Sequence, residues 1–198
     1  MRKQKKTDGI RNIVICGVGG QGIILASDVL CHAAFLSGYD VKKSEVHGMA
    51  QRGGSVITHV RFGKKVHSPL IEQGSCHFML AFEKLEALRY VDYLHEDGHI
   101  IVDDREIPPM SVLVGDAEYP ADIGKKLQKF SKLHLIDATS VAAELGNLRA
   151  VNIVLLGVLS NFLSLKEKYW QDAIKQNIKE RFVELNINAF SCGRELAG

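Results

Sequence analysis

Apolar positions along this chain follow two spacings, and the change from one to the other predicts its first elements. Arg11 to Cys16 is a short β-branched apolar run that reads as a strand. From Ile23 to Ser37 the apolar residues return at helical spacing, at Ile23, Ala26, Leu30 and Ala33, which predicts a helix. Gly38 stands where a helix C-terminal glycine belongs, and Tyr39 to Val46 reads as a second strand, parallel to the first. A unit of this kind places the loop after its first strand at the carboxyl edge of the sheet.

The alternation resumes at Ser55 to Phe62, which reads as a strand turning at Gly63-Lys64 into Val66-His67-Ser68 as a hairpin. Only nine residues, 46 to 54, precede it, whereas a parallel crossover takes about a dozen or more. The dinucleotide-fold rhythm therefore breaks at this point. It returns with a strand at His77 to Phe82, a helix from Glu83 to Leu94, a turn at Asp97-Gly98 and a strand at His99 to Asp103. Pro108-Pro109 and Val112-Leu113-Val114 predict an extended excursion, followed by a helix from Ala121 to Phe130 and a last parallel strand from Leu133 to Asp137. Thr139 or Ser140 is placed to cap Val141 to Leu145. Helices at Arg149 to Leu163 and Lys166 to Leu185 complete the pattern. The expected fold is α/β and Rossmann-like: a mostly parallel sheet with helices on both faces, a β-hairpin insertion and C-terminal helices.

Composition narrows this picture. With 198 residues, 46% of them hydrophobic, the chain can bury one substantial core. A basic, flexible tail is expected over residues 1–10 and one domain over 11–198. Lys and Arg number 25 against 23 Asp and Glu, a net charge of +2, so no general attraction to nucleic acid or an anionic membrane is expected. Even Val151 to Leu163 is broken by Asn152, Gly157, Ser160 and Asn161, short of the roughly 18 apolar residues of a membrane span. Cys16, Cys31, Cys76 and Cys192 show no Cys-x-x-Cys spacing, which argues against zinc or an iron–sulfur cluster on this chain and fits a reducing cytoplasm.

Two segments carry candidate chemistry. Gly17-Val18-Gly19-Gly20-Gln21-Gly22 satisfies G-x-G-x-x-G between strand and helix. Such glycines let a ligand or partner approach a helix N-terminus, whose free N–H groups favour anions; equally, they permit close packing of strand and helix. Glu45, 23 residues after Gly22, stands where a ribose-binding carboxylate would be sought, but Lys42, Lys43 and His47 crowd it. The second segment, His47-Gly48-Met49-Ala50-Gln51-Arg52-Gly53-Gly54-Ser55, gathers imidazole, amide and guanidinium groups among glycines. Arg52 suits a carboxylate or phosphate, and His47 a proton or hydrogen bond near neutral pH. Asp103, Asp104 and Asp137 fall at strand ends, where a carboxylate serves a ligand or caps the next element. His32, His59, His67, His77, His95, His99 and His134 lack a spacing that unites a metal site, and no nucleophile elbow or Walker loop is present.

Ile13 to Gly22 followed by Ser44-Glu45-Val46-His47-Gly48-Met49-Ala50-Gln51-Arg52-Gly53-Gly54 strongly resembles the gamma-type domain of 2-oxoacid:ferredoxin oxidoreductases, nearest to the indolepyruvate ferredoxin oxidoreductase beta subunits. The resemblance implies a complex in which a large alpha partner carries thiamine diphosphate, magnesium and 4Fe–4S clusters. That complex decarboxylates an aryl-2-oxoacid, makes an acyl-coenzyme A and passes electrons to ferredoxin. This chain would bind no cofactor alone and be inactive by itself. Consistent with this, Glu96-Asp97-Gly98 lacks the first glycine of a Gly-Asp-Gly magnesium motif. By the likeness, Gly17, Gly19, Gly20, Gln21, Gly22, Glu45, His47, Gln51, Arg52, Gly53, Gly54 and Ser55 face the partner or its coenzyme, with Arg52 the foremost anion contact. The alternative is a free-standing nucleotide- or coenzyme A-binding module.

Overall fold

The computed structural model describes residues 9–47, 53–116 and 118–196; the expected basic tail lies almost wholly outside them. Its six strands are β1 (Arg11–Val18), β2 (Asp40–His47), β3 (Ser55–Gly63), β4 (Cys76–Ala81), β5 (Leu94–Asp103) and β6 (Leu133–Ile136). They form one sheet in the order β2-β3-β1-β4-β5-β6. β1, β4, β5 and β6 are parallel neighbours, and β3 alone runs against the rest. The mixed α/β class and the mostly parallel sheet agree with the sequence reading.

The hairpin is real, but its partner differs. β3 pairs with β2 from Asp40↔Gly63 to His47↔Val56, while 66–68 form no strand, and Val66 N–H instead donates to Asp40 Oδ2 at 2.8 Å. β2 offers eight residues of pairing, against three from the 66–68 segment. β3 thereby lies between β1 and β2.

Helices cover both faces. α1 (Ile23–Leu36), α5 (Ala138–Glu144), α6 (Val151–Ser160), α7 (Glu167–Asn177) and α8 (Val183–Glu195) share a core with Ile13, Ile15 and Leu80. α2 (Lys84–Arg89) and α4 (Ile123–Leu127) cover Val14, Cys16 and Met79 on the other face. A short α3 (Met110–Leu113) replaces part of the expected extended excursion. Adjacent residues of β1 thus bury opposite sides, as a two-faced parallel sheet requires. α1 ends in a Schellman motif: Gly38, at φ 87°, donates to Phe35 O and Tyr39 N–H to Ala34 O.

Several boundaries shift for local reasons. The helix expected to reach Leu94 stops at Arg89, and the expected Asp97-Gly98 turn is an irregularity inside the longer β5, where the register on β4 slips between Cys76 and Phe78. α4 is shorter than the expected Ala121–Phe130 helix. The cap of α5 is Asp137, whose Oδ1 accepts Ser140 N–H at 3.0 Å, so that helix begins at Ala138. The helix expected over Lys166 to Leu185 breaks at Ile178, which adopts extended φ/ψ and packs on the core, while Asn177 Nδ2 turns back to Ala173 O at 2.8 Å.

Candidate functional site

The two glycine motifs meet at the carboxyl edge of the sheet. Gly19 N–H donates to Gly54 O at 2.8 Å, and Gly53 N–H donates back to Gly19 O at 3.3 Å. This reciprocal pair extends the β1–β3 ladder past Val18↔Ser55 and welds both loops into one surface.

Within the first loop the glycines differ in purpose. A Cβ on Gly17 would fall 2.6 Å from Gln21 Oε1 and 2.9 Å from Phe82 Cβ, so Gly17 makes room for protein rather than for a ligand. Gln21 fills that room: its Oε1 accepts Val18 N–H at 2.6 Å and its Nε2 donates to Phe82 O at 2.7 Å, tying the loop to the end of β4. Gly22, at φ +82°, would set a Cβ 2.5 Å from Asn152 Nδ2, which donates to Gly22 O. Gly20 (φ +104°) and Gly53 (φ +75°) adopt left-handed backbone, and among the described residues nothing lies within 4 Å of where a side chain would go. α1 follows Gly22 as its N-cap residue, with no acidic residue in its first turn and, among the described residues, no side-chain cap.

Ser55 anchors the second loop in a network that sequence reasoning missed. Its hydroxyl donates to Glu86 Oε2 and lies 2.8 Å from Tyr90 Oη. Glu86 is 4% exposed; its Oε1 also accepts Arg89 Nε at 3.0 Å, and its own N–H donates to Glu83 Oε2 at 2.8 Å. Glu83 Oε1 in turn accepts Tyr119 Oη at 2.9 Å. Burial, joined for Tyr119 by the Glu83 carboxylate, raises the pKa of both Tyr90 and Tyr119. The Glu83-x-x-Glu86 spacing at a helix start was the available signal, since a side chain at the first position caps the N–H of the fourth. On the outer side of α2, Leu85, Leu88 and Arg89 line an open groove of about 360 Å³ with Pro109 and Pro120.

The remaining candidates fall elsewhere. Glu45 pairs with Lys43 at 2.5 Å, and Lys43 also reaches Asp28 of α1. Burial opposes the Lys43 charge, but these two carboxylates outweigh it and raise its pKa. Because β3 separates β2 from β1, Glu45 does not stand beside the glycine loop as a ribose-binding carboxylate would. His47 ends β2 opposite Val56; its side chain, with Gln51 and Arg52, lies outside the described residues. Asp103 is buried and caps α5, Oδ1 accepting Ala138 and Thr139 N–H and Oδ2 accepting Thr139 Oγ1. Among the described residues no three His, Cys, Asp or Glu side chains are grouped to hold a metal ion.

Comparison with known proteins assigns the chain to a family. The profile of pyruvate ferredoxin/flavodoxin oxidoreductases matches residues 12–196. The chain belongs to this family. It is 42% identical over 192 residues to the indolepyruvate oxidoreductase subunit IorB of Thermococcus kodakarensis, covering 94% of this chain and 95% of that protein. The keto/oxoacid ferredoxin oxidoreductase gamma subunit of Geobacter sulfurreducens shares the fold with a TM-score of 0.71 at 25% identity, covering 94% of this chain and 98% of the other. The 2-oxoglutarate:ferredoxin oxidoreductase of Magnetococcus marinus, solved with 2-oxoglutarate, coenzyme A and succinyl-CoA bound, matches at a TM-score of 0.73 and 21% identity. There the match covers 96% of this chain but 31% of the longer one.

Within the family this chain is a gamma-type subunit of an oxidoreductase complex, and the free-standing binding module is not the reading that fits. Among the described residues no helix is long and apolar enough to cross a membrane.

Proposed function

We propose that this chain completes a cytoplasmic, thiamine diphosphate-dependent oxidoreductase that converts indolepyruvate or a related arylpyruvate, with coenzyme A, to the aryl-acyl-coenzyme A and carbon dioxide. Two electrons pass to ferredoxin. A larger alpha subunit carries thiamine diphosphate, magnesium and 4Fe–4S clusters, and residues 11–198 of this chain act as one domain against it, without activity on their own. The observation that carries the reading is the reciprocal Gly19/Gly54 and Gly53/Gly19 pairing, which makes one surface of the two motifs.

The chemistry of that surface suits an anionic coenzyme or a partner's backbone. Among the described residues nothing fills the space beside Gly20 and Gly53 or caps the start of α1, whose N–H groups favour negative charge. Gln21 shapes the loop from within, and Ser55 fastens its far side. His47, Gln51 and Arg52 border the same loop in sequence, and Arg52 is assigned the anion contact. The cysteines support placing the clusters on the partner. Cys16, Cys31, Cys76 and Cys192 show no Cys-x-x-Cys spacing, and among the described residues no three His, Cys, Asp or Glu side chains are grouped.

The test is co-expression with the large subunit, followed by indolepyruvate-dependent dye reduction with and without coenzyme A. Activity that requires both chains supports the assignment; activity without this chain, or none with indolepyruvate and coenzyme A supplied, overturns it. Arg52→Ala should raise the KM for coenzyme A or weaken assembly, and an unchanged variant removes Arg52 from the role.

A further inference from the structure

The segment Phe82–Tyr90 touches both glycine motifs, although neither motif includes it. Phe82 O accepts Gln21 Nε2 from the first loop. Four residues on, Glu86 accepts the Ser55 hydroxyl at the end of the second. Between these two fastenings run the two backbone bonds that join Gly19 to Gly53-Gly54, at 2.8 and 3.3 Å.

From this geometry we propose that Glu86 is a positioning residue: through Ser55 it holds Gly53-Gly54 against Gly19 and so sets the shape of the surface that both loops present. The proposal rests on the reading that this surface meets the coenzyme or the partner subunit. Glu86 suits the task because it is buried and its two oxygens are engaged separately, Oε2 by Ser55 Oγ and Oε1 by Nε of the half-exposed Arg89. A glutamine of the same size loses the charge-assisted bond to Ser55 in either orientation. With its oxygen towards Ser55 its amide N–H meets the Arg89 donor, and in the reverse orientation its N–H donates to Ser55 Oγ, so that the hydroxyl must turn from residue 86 to Tyr90 Oη. Tyr90 shares the Ser55 hydroxyl at 2.8 Å and narrows its direction further.

The experiment uses the assembled two-subunit complex with Ser55→Ala, Ser55→Thr, Glu86→Gln and the Ser55→Ala/Glu86→Gln double variant. Deuterium exchange is followed in peptides covering 17–22 and 53–58, with KM for coenzyme A and kcat measured in parallel. Ser55→Ala and Glu86→Gln should each speed exchange in both peptides roughly tenfold, the equilibrium worth of one hydrogen bond to a charged group. The double variant should be no faster than either single one, and Ser55→Thr, which keeps the hydroxyl, should match the wild type. KM for coenzyme A, or the midpoint of subunit association, should rise with the exchange rate while kcat holds. Wild-type exchange in both single variants, or additive effects in the double one, overturns the clamp. Faster exchange with unaltered KM and association sustains the clamp and overturns the reading of the surface. Should Glu86→Gln fail to fold, Ser55→Ala against Ser55→Thr decides the matter alone.

Discussion

Gly22 and Asn152 meet where α1 begins, 130 residues apart in sequence: Asn152 Nδ2 donates to Gly22 O at 3.2 Å, and a Cβ on Gly22 would fall 2.5 Å from that same nitrogen. Asn152 is 3% exposed on the first turn of α6. Gly22 is therefore specified twice, by a backbone φ of +82° and by a side chain seated against it.

Gly22→Ala should destabilise the chain by about 3 kcal/mol, combining left-handed strain with overpacking. Urea unfolding followed by circular dichroism measures this. Asn152→Ala removes the obstacle but leaves the strain, so the double variant should be less destabilised than the sum of the two singles. Strict additivity would show that the two residues do not press on one another.

α6 and α8 cross at Gly157 and Gly193, where added Cβ atoms would fall 2.2 Å from Phe190 O and 2.0 Å from Val154 O. Both obstacles are backbone and no side chain can yield. Gly193→Ala should lower stability by about 3 kcal/mol and visibly reduce Tm in a thermal melt. A melt within a degree or two of wild type rules out so close a crossing.

Asp103 is a buried carboxylate used as a helix cap, and burial, only partly offset by Thr139 and Ala138, raises its pKa above the ordinary value. A raised folded-state pKa contributes stability below the unfolded value, lost as pH rises through the folded one. Asp103→Asn keeps an oxygen for Ala138 and Thr139 N–H and lets its amide donate to Thr139 Oγ1. Its stability relative to wild type should therefore improve as pH rises from about 3 to 7. Asp103→Ala should cost about 2 kcal/mol at neutral pH, since the N–H groups lose their acceptor. Chemical denaturation of the three proteins across that range provides the check.

His59 and His77 use Nδ1 as an acceptor, for Ile71 N–H at 3.1 Å and Asn12 N–H at 3.0 Å. Burial lowers both pKa values, joined at His77 by the Arg11 charge. Lowered imidazole pKa values give stability that is complete above the unfolded value near 6.5 and lost as pH falls through the folded ones. The chain should thus lose stability progressively below pH ~6.5, and His59→Gln should flatten the slope there. An unaltered slope in both His59→Gln and His77→Gln places the acid sensitivity elsewhere.

Sequence by itself determined the class of fold and the motifs. The apolar run through Cys16 marked β1, the helical spacing through Ala33 marked α1, and Gly38 marked its end. These signals are local, set by side-chain period and backbone freedom. The nine-residue connection at 46–54 also excluded a second parallel crossover by reach alone.

Tertiary structure decided what local signals leave open. Which strand β3 pairs with depends on two edges competing for it, and β2 wins by length. Whether Glu45 stands beside the glycine loop depends on strand order, which inserts β3 between them. Gly17 and Gly22 look alike in the motif, yet one makes room for Gln21 and the other for Asn152. Glu86 could be read only as a helix residue until Ser55, 31 positions away, was brought against it. Such contacts join segments distant in sequence, and a residue's spacing to its neighbours holds no record of which distant group will meet it.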